Sequence, residues 1–334
     1  MAVSVTEEKM IEVRQVTKQY GDGRVLSDVS FCFSGVGIHG IFGTSGSGKS
    51  ILTAMIAACV PPDSGVVLVD GKELDVRAPE TRQRVGYLPG DLRLYGDMTA
   101  YEILDFVGRT KRIPVEKRYR QIKEALDLTA ATELAEKTVA SLSVGQRRRV
   151  ELALTLLGNP DRILLDEPFR GLESTDRREI ADIVRMLGRI KPVVLTASSS
   201  EDIYSLCTDA VLLSEGKVVC TDTVEALKNK LSHESILRIS ANGDAGKMKE
   251  KILCLTGVLS CQVLRSDENG NCTIGVRYIA GSDTRNAVLA ACEEAGGMVR
   301  SMEAQTPSLS ELCVTSEDMP LSANEKAGEE GAGE

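Results

Sequence analysis

The sequence predicts an α/β protein in two parts: a larger unit of alternating strands and helices, then a small α+β unit. Three observations carry this. Strand-like and helix-like segments alternate through residues 1–230, with a glycine-rich loop set between a strand and a helix. A helical stretch interrupts the alternation at about residues 92–157. Residues 234–316 then read strand, helix, strand, strand, helix, strand, the order of a ferredoxin-like sandwich.

The elements follow in order. "IEVRQVTKQY" (Ile11 to Tyr20) and "VSFCFSGVGIHGIFG" (Val29 to Gly43) read as strands with a turn between them. The glycine-rich loop comes next, then an apolar helix from Ile51 to Cys59. "PPDSG" (Pro61 to Gly65) breaks that helix, because proline lacks the N–H a helix interior needs, and "VVLVDG" returns to strand. Thr99 and Glu102 have the spacing of a capping box and predict a helix through "ILDFV". "RYRQIKEALDL" (Arg118 to Leu128) has apolar residues at helical spacing. Strands resume with "RILLDEP", "KPVVLTA" and "AVLLSEGKVV". In the small unit, Val288, Ala291, Cys292 and Ala295 mark one apolar helix face at i, i+3, i+4, i+7.

Composition excludes several classes. Hydrophobic residues make up 42% of the 334 and charged residues 27%, as in a globular protein. No apolar run approaches the ~20 residues that span a bilayer. "MAVSVTEEKM" carries acids where a signal peptide would carry Lys or Arg, so a cytoplasmic protein is expected. Nine cysteines without a Cys-x-x-Cys argue against a zinc site or disulfide framework, and reduced, buried thiols are expected. The net charge of −9 is concentrated in residues 317–334, which hold six acids and one lysine and read as a disordered tail. The rest is nearly balanced, so charge decides little about partners.

Chemistry enters at "GTSGSGKS". Gly43, Thr44, Ser45, Gly46, Ser47, Gly48, Lys49 and Ser50 have the form G-x-x-x-x-G-K-S after an apolar strand and before a helix, the context of a P-loop. Backbone N–H groups there close around phosphate oxygens, Lys49 reaches the β/γ-phosphates, and the Ser50 hydroxyl ligates Mg²⁺. "ILLDEP" delivers a second acidic group: Asp166 beside the metal, and Glu167 placed to polarise an attacking water as general base. ATP and Mg²⁺ are therefore the expected substrate and cofactor.

"LSVGQRRRVELALTLLGNPDRILLDEP" (Leu142 to Pro168) sets Ser143, Gly145 and Gln146 at a helix start about twenty residues before the acidic pair. This stretch closely resembles the signature of ATP-binding-cassette (ABC) ATPases, usually LSGGQ, followed by the acidic strand. The resemblance spans about residues 9–225 and implies a P-loop NTPase cassette with a helical subdomain. It further implies that two cassettes sandwich two ATP molecules, with Ser143, Gly145 and Gln146 acting in trans and Tyr20 stacking on adenine.

The sequence departs from the family pattern at several positions. Aligning "LTASSSED" with the last core strand sets Ser198 where the family carries a switch histidine; the serines also suit a helix cap. Gly90 stands where Gln or Glu is usual, Glu173 where the D-loop carries Asp, and Ile51 where a second hydroxyl is common. These departures imply slowed rather than lost hydrolysis, since metal site, lysine and base remain. "VGYLPGDLRLYGDMTAYEIL" and the ending "TPSLSELCV" resemble the subfamily that serves ABC-2 type exporters, in which Leu92 to Gly96 would meet the permease. The implied protein is the ATPase subunit of a separate membrane permease, paired with a second cassette and peripheral on the inner membrane face. A weakly hydrolysing regulatory cassette with a more active partner is the alternative, and a soluble ABC ATPase outside transport a third. No nucleic acid is expected as partner.

Overall fold

The computed structural model describes residues 10–21, 23–232, 234–267, 270–279 and 284–305. The expected disordered tail and "TPSLSELCV" lie outside them. The chain divides into two compact units, Met1–Ala226 and Leu227–Glu334. Among the described residues no helix is long and apolar enough to cross a membrane.

The first unit begins with β1 (Met10–Tyr20) and β2 (Gly23–Ser34), paired antiparallel. β3 (Ile38–Phe42) runs into the glycine-rich loop and α1 (Lys49–Ile56). Next come β4 (Ser64–Val69), β5 (Lys72–Glu73), α2 (Pro79–Gln83) and β6 (Val85–Leu88). The helical stretch is α3 (Ala100–Thr110), α4 (Val115–Leu128) and α5 (Val144–Leu156). Then follow β7 (Arg162–Leu165), α6 (Ser174–Gly188), β8 (Val193–Ala197), α7 (Ser200–Leu206), β9 (Asp209–Ser214) and β10 (Lys217–Thr223), and the division between the units falls within α8 (Val224–Ser232).

β2-β1-β4-β5 form an antiparallel sheet, and β10-β9-β3-β8-β7-β6 a six-stranded one. In the latter β9, β3, β8, β7 and β6 are mutually parallel. Every residue of β3, β7 and β8 is buried, as both faces of a parallel sheet must be, which is why these strands read as largely apolar runs without a polar alternation, broken only by His39, Arg162 and Thr196. The helical stretch has its own core, with Ile103, Leu104, Ile122, Leu134 and Val150 inside it. The capping box forms as its spacing predicts: Glu102 N–H donates to Thr99 Oγ1 at 3.2 Å, and Thr99 N–H to Glu102 Oε2 at 2.8 Å.

A buried ion pair ties the two sheets of this unit. Arg162 at the start of β7 is 1% exposed and donates to Asp70 Oδ2 at 2.5 Å, just beyond β4. Asp70 also accepts from the Met10 N–H at 3.1 Å. Asp70→Asn leaves the guanidinium buried without its counter-charge and is expected to cost about 1.5–3 kcal/mol, the value of a hydrogen bond to a charged group. A urea titration of both proteins measures it.

The thiols correct one expectation. Of the described cysteines, Cys207, Cys261, Cys272 and Cys292 are buried, Cys220 is half-buried, and Cys32, Cys59 and Cys254 are exposed; none of them forms a disulfide. Cys32 sits on a strand whose alternate residues, Phe31 and Phe33, take the buried face, so alternation turns it outward.

The second unit runs β11 (Glu234–Asn242), α9 (Ala245–Leu253), β12 (Val258–Ser266), β13 (Asn271–Ile279), α10 (Thr284–Glu294) and β14 (Met298–Gln305). Its sheet, ordered β12-β13-β11-β14, is antiparallel throughout, the ferredoxin-like arrangement. Leu237, Ile239, Ile274 and Val276 on one face pack with Met248 and Ile252 of α9 and Val288 and Cys292 of α10.

Candidate active site

Four loops leave the carboxyl ends of parallel strands at one edge of the six-stranded sheet, where open α/β sheets place their ligands. β3 leads to Gly43, β6 to Gly90, β7 to Asp166 and Glu167, and β8 to Ser198. A cavity of about 500 Å³ opens there, lined by Ser45, Gly46, Gly48, Lys49, Ser50, Glu167, Arg170 and Ser198 among others.

The glycines of the loop are required by contact and conformation. A Cβ on Gly43 would lie 2.2 Å from Leu213 O and 2.6 Å from Ser47 Oγ. Gly48 caps α1 at φ +99°, a left-handed conformation that side chains resist, and a Cβ there would meet Leu26 at 2.6 Å. The loop thus presents bare backbone at a helix N-terminus, where an anion is favoured. The Ser47 hydroxyl is buried with no hydrogen-bond partner. A cradle closed by glycines and an orphaned donor inside it fit a phosphate chain.

Lys49 is 5% exposed and is held by the loop itself, donating to Gly43 O at 2.7 Å and Thr44 O at 3.0 Å. It also donates to Ser198 Oγ at 3.2 Å and lies 3.5 Å from Glu167 Oε1. Ser198 in turn donates to Glu167 Oε1 at 2.5 Å. Lysine, serine and glutamate form one connected chain. The Ser198 side chain therefore belongs to the site. The helix-cap reading is met in position by the next serine: Ser199 stands at the N-cap of α7, though its side chain makes no capping bond.

The acidic pair is set by Thr196, a lone hydroxyl in the aliphatic strand β8. Its Oγ1 donates to Asp166 Oδ1 at 2.6 Å and accepts the Glu167 N–H at 2.8 Å. Asp166 is 3% exposed, and a Cβ on Gly90 would lie 3.1 Å from its second oxygen. Glu167 has φ +50°, a conformation that strains a non-glycine backbone and persists where surroundings over-determine it. The Ser50 hydroxyl and the Asp166 carboxylate are both oxygen donors, a set that suits Mg²⁺, which takes its other ligands from phosphate and water.

The remaining predicted residues lie elsewhere. Ser143 caps α5 and forms a second capping box: Gln146 N–H donates to Ser143 Oγ at 3.1 Å, and Ser143 N–H to Gln146 Oε1 at 3.1 Å. The Ser143 O–H proton remains free to donate outward. Gly145 is buried, and the Asp176 carboxylate of α6 lies so close that a Cβ there would sit 2.1–2.3 Å from it. Tyr20 ends β1, 51% exposed, with Lys18 Nζ 5.5 Å from its ring centroid; it does not line the cavity. His39 pairs with Asp209 at 2.6 Å near the opposite end of β3, remote in sequence from the loop after β8 where a switch histidine would stand.

Three residues of these surroundings escaped the sequence reading. Thr196 was detectable as the polar interruption of "VVLTA". Arg170, a cation lining the cavity three residues after Glu167, carried no signal beyond its place close behind the acidic pair. Asp176 carried no signal, because its contact with Gly145 is between helices.

A family model described as "ABC transporter" matches residues 26–170. The linearmycin resistance ATP-binding protein LnrL of Bacillus subtilis is 26% identical over 235 residues, covering 70% of this chain and 76% of that one. The Nod factor export ATP-binding protein I of Burkholderia lata is 31% identical over 218 residues, covering 65% and 72%. Among solved structures, an ATP-binding cassette in a dimeric post-hydrolysis state bound to ADP and Pi superposes with TM-score 0.58 and 25% identity, covering 64% of this chain and 98% of that one.

Proposed function

Since this chain belongs to the family of ABC transporter ATP-binding subunits, we propose that it is the ATPase of a separate membrane permease, of the ABC-2 exporter type. The observation that carries the reading is the Lys49–Ser198–Glu167 chain at the mouth of the glycine cradle. It joins the phosphate-binding group to the base that acts on the same phosphate. Relatives named for linearmycin resistance and Nod factor export support the exporter class. Through the permease the subunit is held at the inner face of the membrane.

The geometry of the cradle and the resemblance to the family together support the following roles. Loop N–H groups, Ser47 and Lys49 bind the phosphate chain, and Ser50 with Asp166 would hold Mg²⁺, which would supply charge neutralisation for the phosphates. Glu167 accepts the proton of the attacking water. Ser198 orients Glu167 through its hydroxyl. Arg170 adds a positive charge to a site without the family's switch histidine. Ser143, Gly145 and Gln146 serve the partner cassette's nucleotide, and Tyr20 stacks on adenine from the end of β1. Gly90 sets no side chain against Asp166 where the family pattern carries Gln or Glu, so turnover is slowed. The regulatory-cassette alternative rests on the same departures.

Phosphate release by the chain with its permease in lipid tests the reading. Ser198→Ala is expected to lower turnover several-fold with little change in ATP affinity, because it frees Glu167. Ser198→His is expected to raise it by at most roughly 10–100-fold, the rate equivalent of one charge-assisted bond of about 1.5–3 kcal/mol. Equal turnover in all three proteins, with ATP still bound, would remove Ser198 from the mechanism. A release rate indifferent to permease would favour an ATPase outside transport.

A further inference from the structure

The second unit carries a polar row across the sheet face opposite its helices. Ser240 of β11 lies opposite Thr273 of β13 and Ser301 of β14, and Thr273 lies opposite Arg265 of β12. Directly opposed residues share a face, so these four side chains cross all four strands in one line. Their chain neighbours Ile239, Ala241, Cys272 and Ile274 turn the other way, into the core.

Two irregularities of register fall at this row. Leu264 is an extra residue between Val263 and Arg265, and Arg300 an extra residue between Val299 and Ser301. Such bulges re-aim side chains. Here they accompany a cavity of about 440 Å³ whose lining includes Ser240, Thr273, Arg265, Arg300 and Asp267. Asp267 is engaged by the hairpin, accepting from the Asn271 N–H at 2.8 Å and its Nδ2 at 2.9 Å. Neither Arg265 nor Arg300 forms an ion pair among the described residues. In a chain of net charge −9, the four strands of this sheet carry four arginines against two glutamates.

Arg265 and Arg300 stand on the two edge strands, three strand spacings or about 14 Å apart, so only a ligand over the central hydroxyls receives both. Two guanidinium forks and two hydroxyls offer about six hydrogen bonds, more than the roughly four acceptor sites of one carboxylate. A phosphate dianion accepts that number. We propose that this face binds a phosphomonoester, a site separate from the glycine cradle and suited to sensing a phosphorylated metabolite or lipid headgroup. The cavity has the size of a small-ligand pocket.

Amide hydrogen exchange of the full chain tests this, with Mg-ADP held constant throughout and the second site read only from exchange in its own strands, so that phosphate entering the cradle beside ADP does not count. Probes are inorganic phosphate, glycerol 3-phosphate, and phosphatidylcholine vesicles with and without phosphatidic acid. The expected result is several-fold slower exchange in residues 261–278 and 298–304, abolished in R265A/R300A and partly kept in R265K/R300K, with melting temperatures unchanged. Protection by glycerol 3-phosphate assigns a soluble ligand, and protection by phosphatidic acid vesicles alone a lipid headgroup. No protection with any probe, or equal protection in R265A/R300A, overturns the proposal.

Discussion

Lys49→Ala is expected to reduce Mg-ATP affinity by at least about 100-fold and to leave no measurable phosphate release. The ammonium is the cation held closest to the cradle, fixed between two carbonyls of its own loop and the Ser198 hydroxyl. Nucleotide phosphates exchange those neutral acceptors for charged ones, and two such bonds contribute about 3–6 kcal/mol, or two to four decades of affinity. The variant also removes the cation that lies 3.5 Å from Glu167, so that carboxylate repels the phosphates more strongly. Lys49→Arg is not a rescue, because a planar fork does not fit where a point charge sits among carbonyls. Fluorescent-nucleotide titration measures the effect, with a melting curve to check the fold. Unchanged affinity would remove the P-loop assignment.

The same lysine shows why much of this site could be read in advance. Residues 43–50 are contiguous, and the loop's geometry follows from glycine chemistry alone, since no other residue fits at Gly43 or at the left-handed Gly48. The acidic pair was legible for a related reason: a buried parallel strand, "RILL", must end in something polar when it reaches a cleft. What stayed hidden depends on contacts between segments distant in the chain. Thr196 fixes Asp166 thirty residues away, and only the packing of β7 beside β8 reveals it. Ser198 was placed by alignment, but its bond to Glu167 and its acceptance from Lys49 are tertiary facts. The Asp176 carboxylate against Gly145 comes from the meeting of α5 and α6, which neither helix's pattern encodes. In the second unit the succession of strands and helices was legible along the chain, while the bulge that accompanies Arg300 in a cavity was not.

Glu167→Gln is expected to bind ATP at least as well as the native chain, to hydrolyse it about 10²–10⁴-fold more slowly, and to accumulate as an ATP-bound dimer. The substitution keeps the side chain's shape and its acceptor oxygen, so the Ser198 bond survives and the strained backbone at φ +50° is undisturbed. What it removes is the basic carboxylate: an amide cannot take a proton from the attacking water. It also removes one negative charge beside Lys49 and the phosphates, so affinity rises or stays level while rate falls. Slowed hydrolysis then prolongs any state in which Ser143, Gly145 and Gln146 of one copy meet the nucleotide of the other. Single-turnover phosphate release and size exclusion with Mg-ATP measure the two consequences separately. Turnover within tenfold of the native chain would show that Glu167 is not the base. Normal inactivation with only monomer in both proteins, permease included, would show instead that this chain does not pair with itself, and would make a second, different cassette its partner.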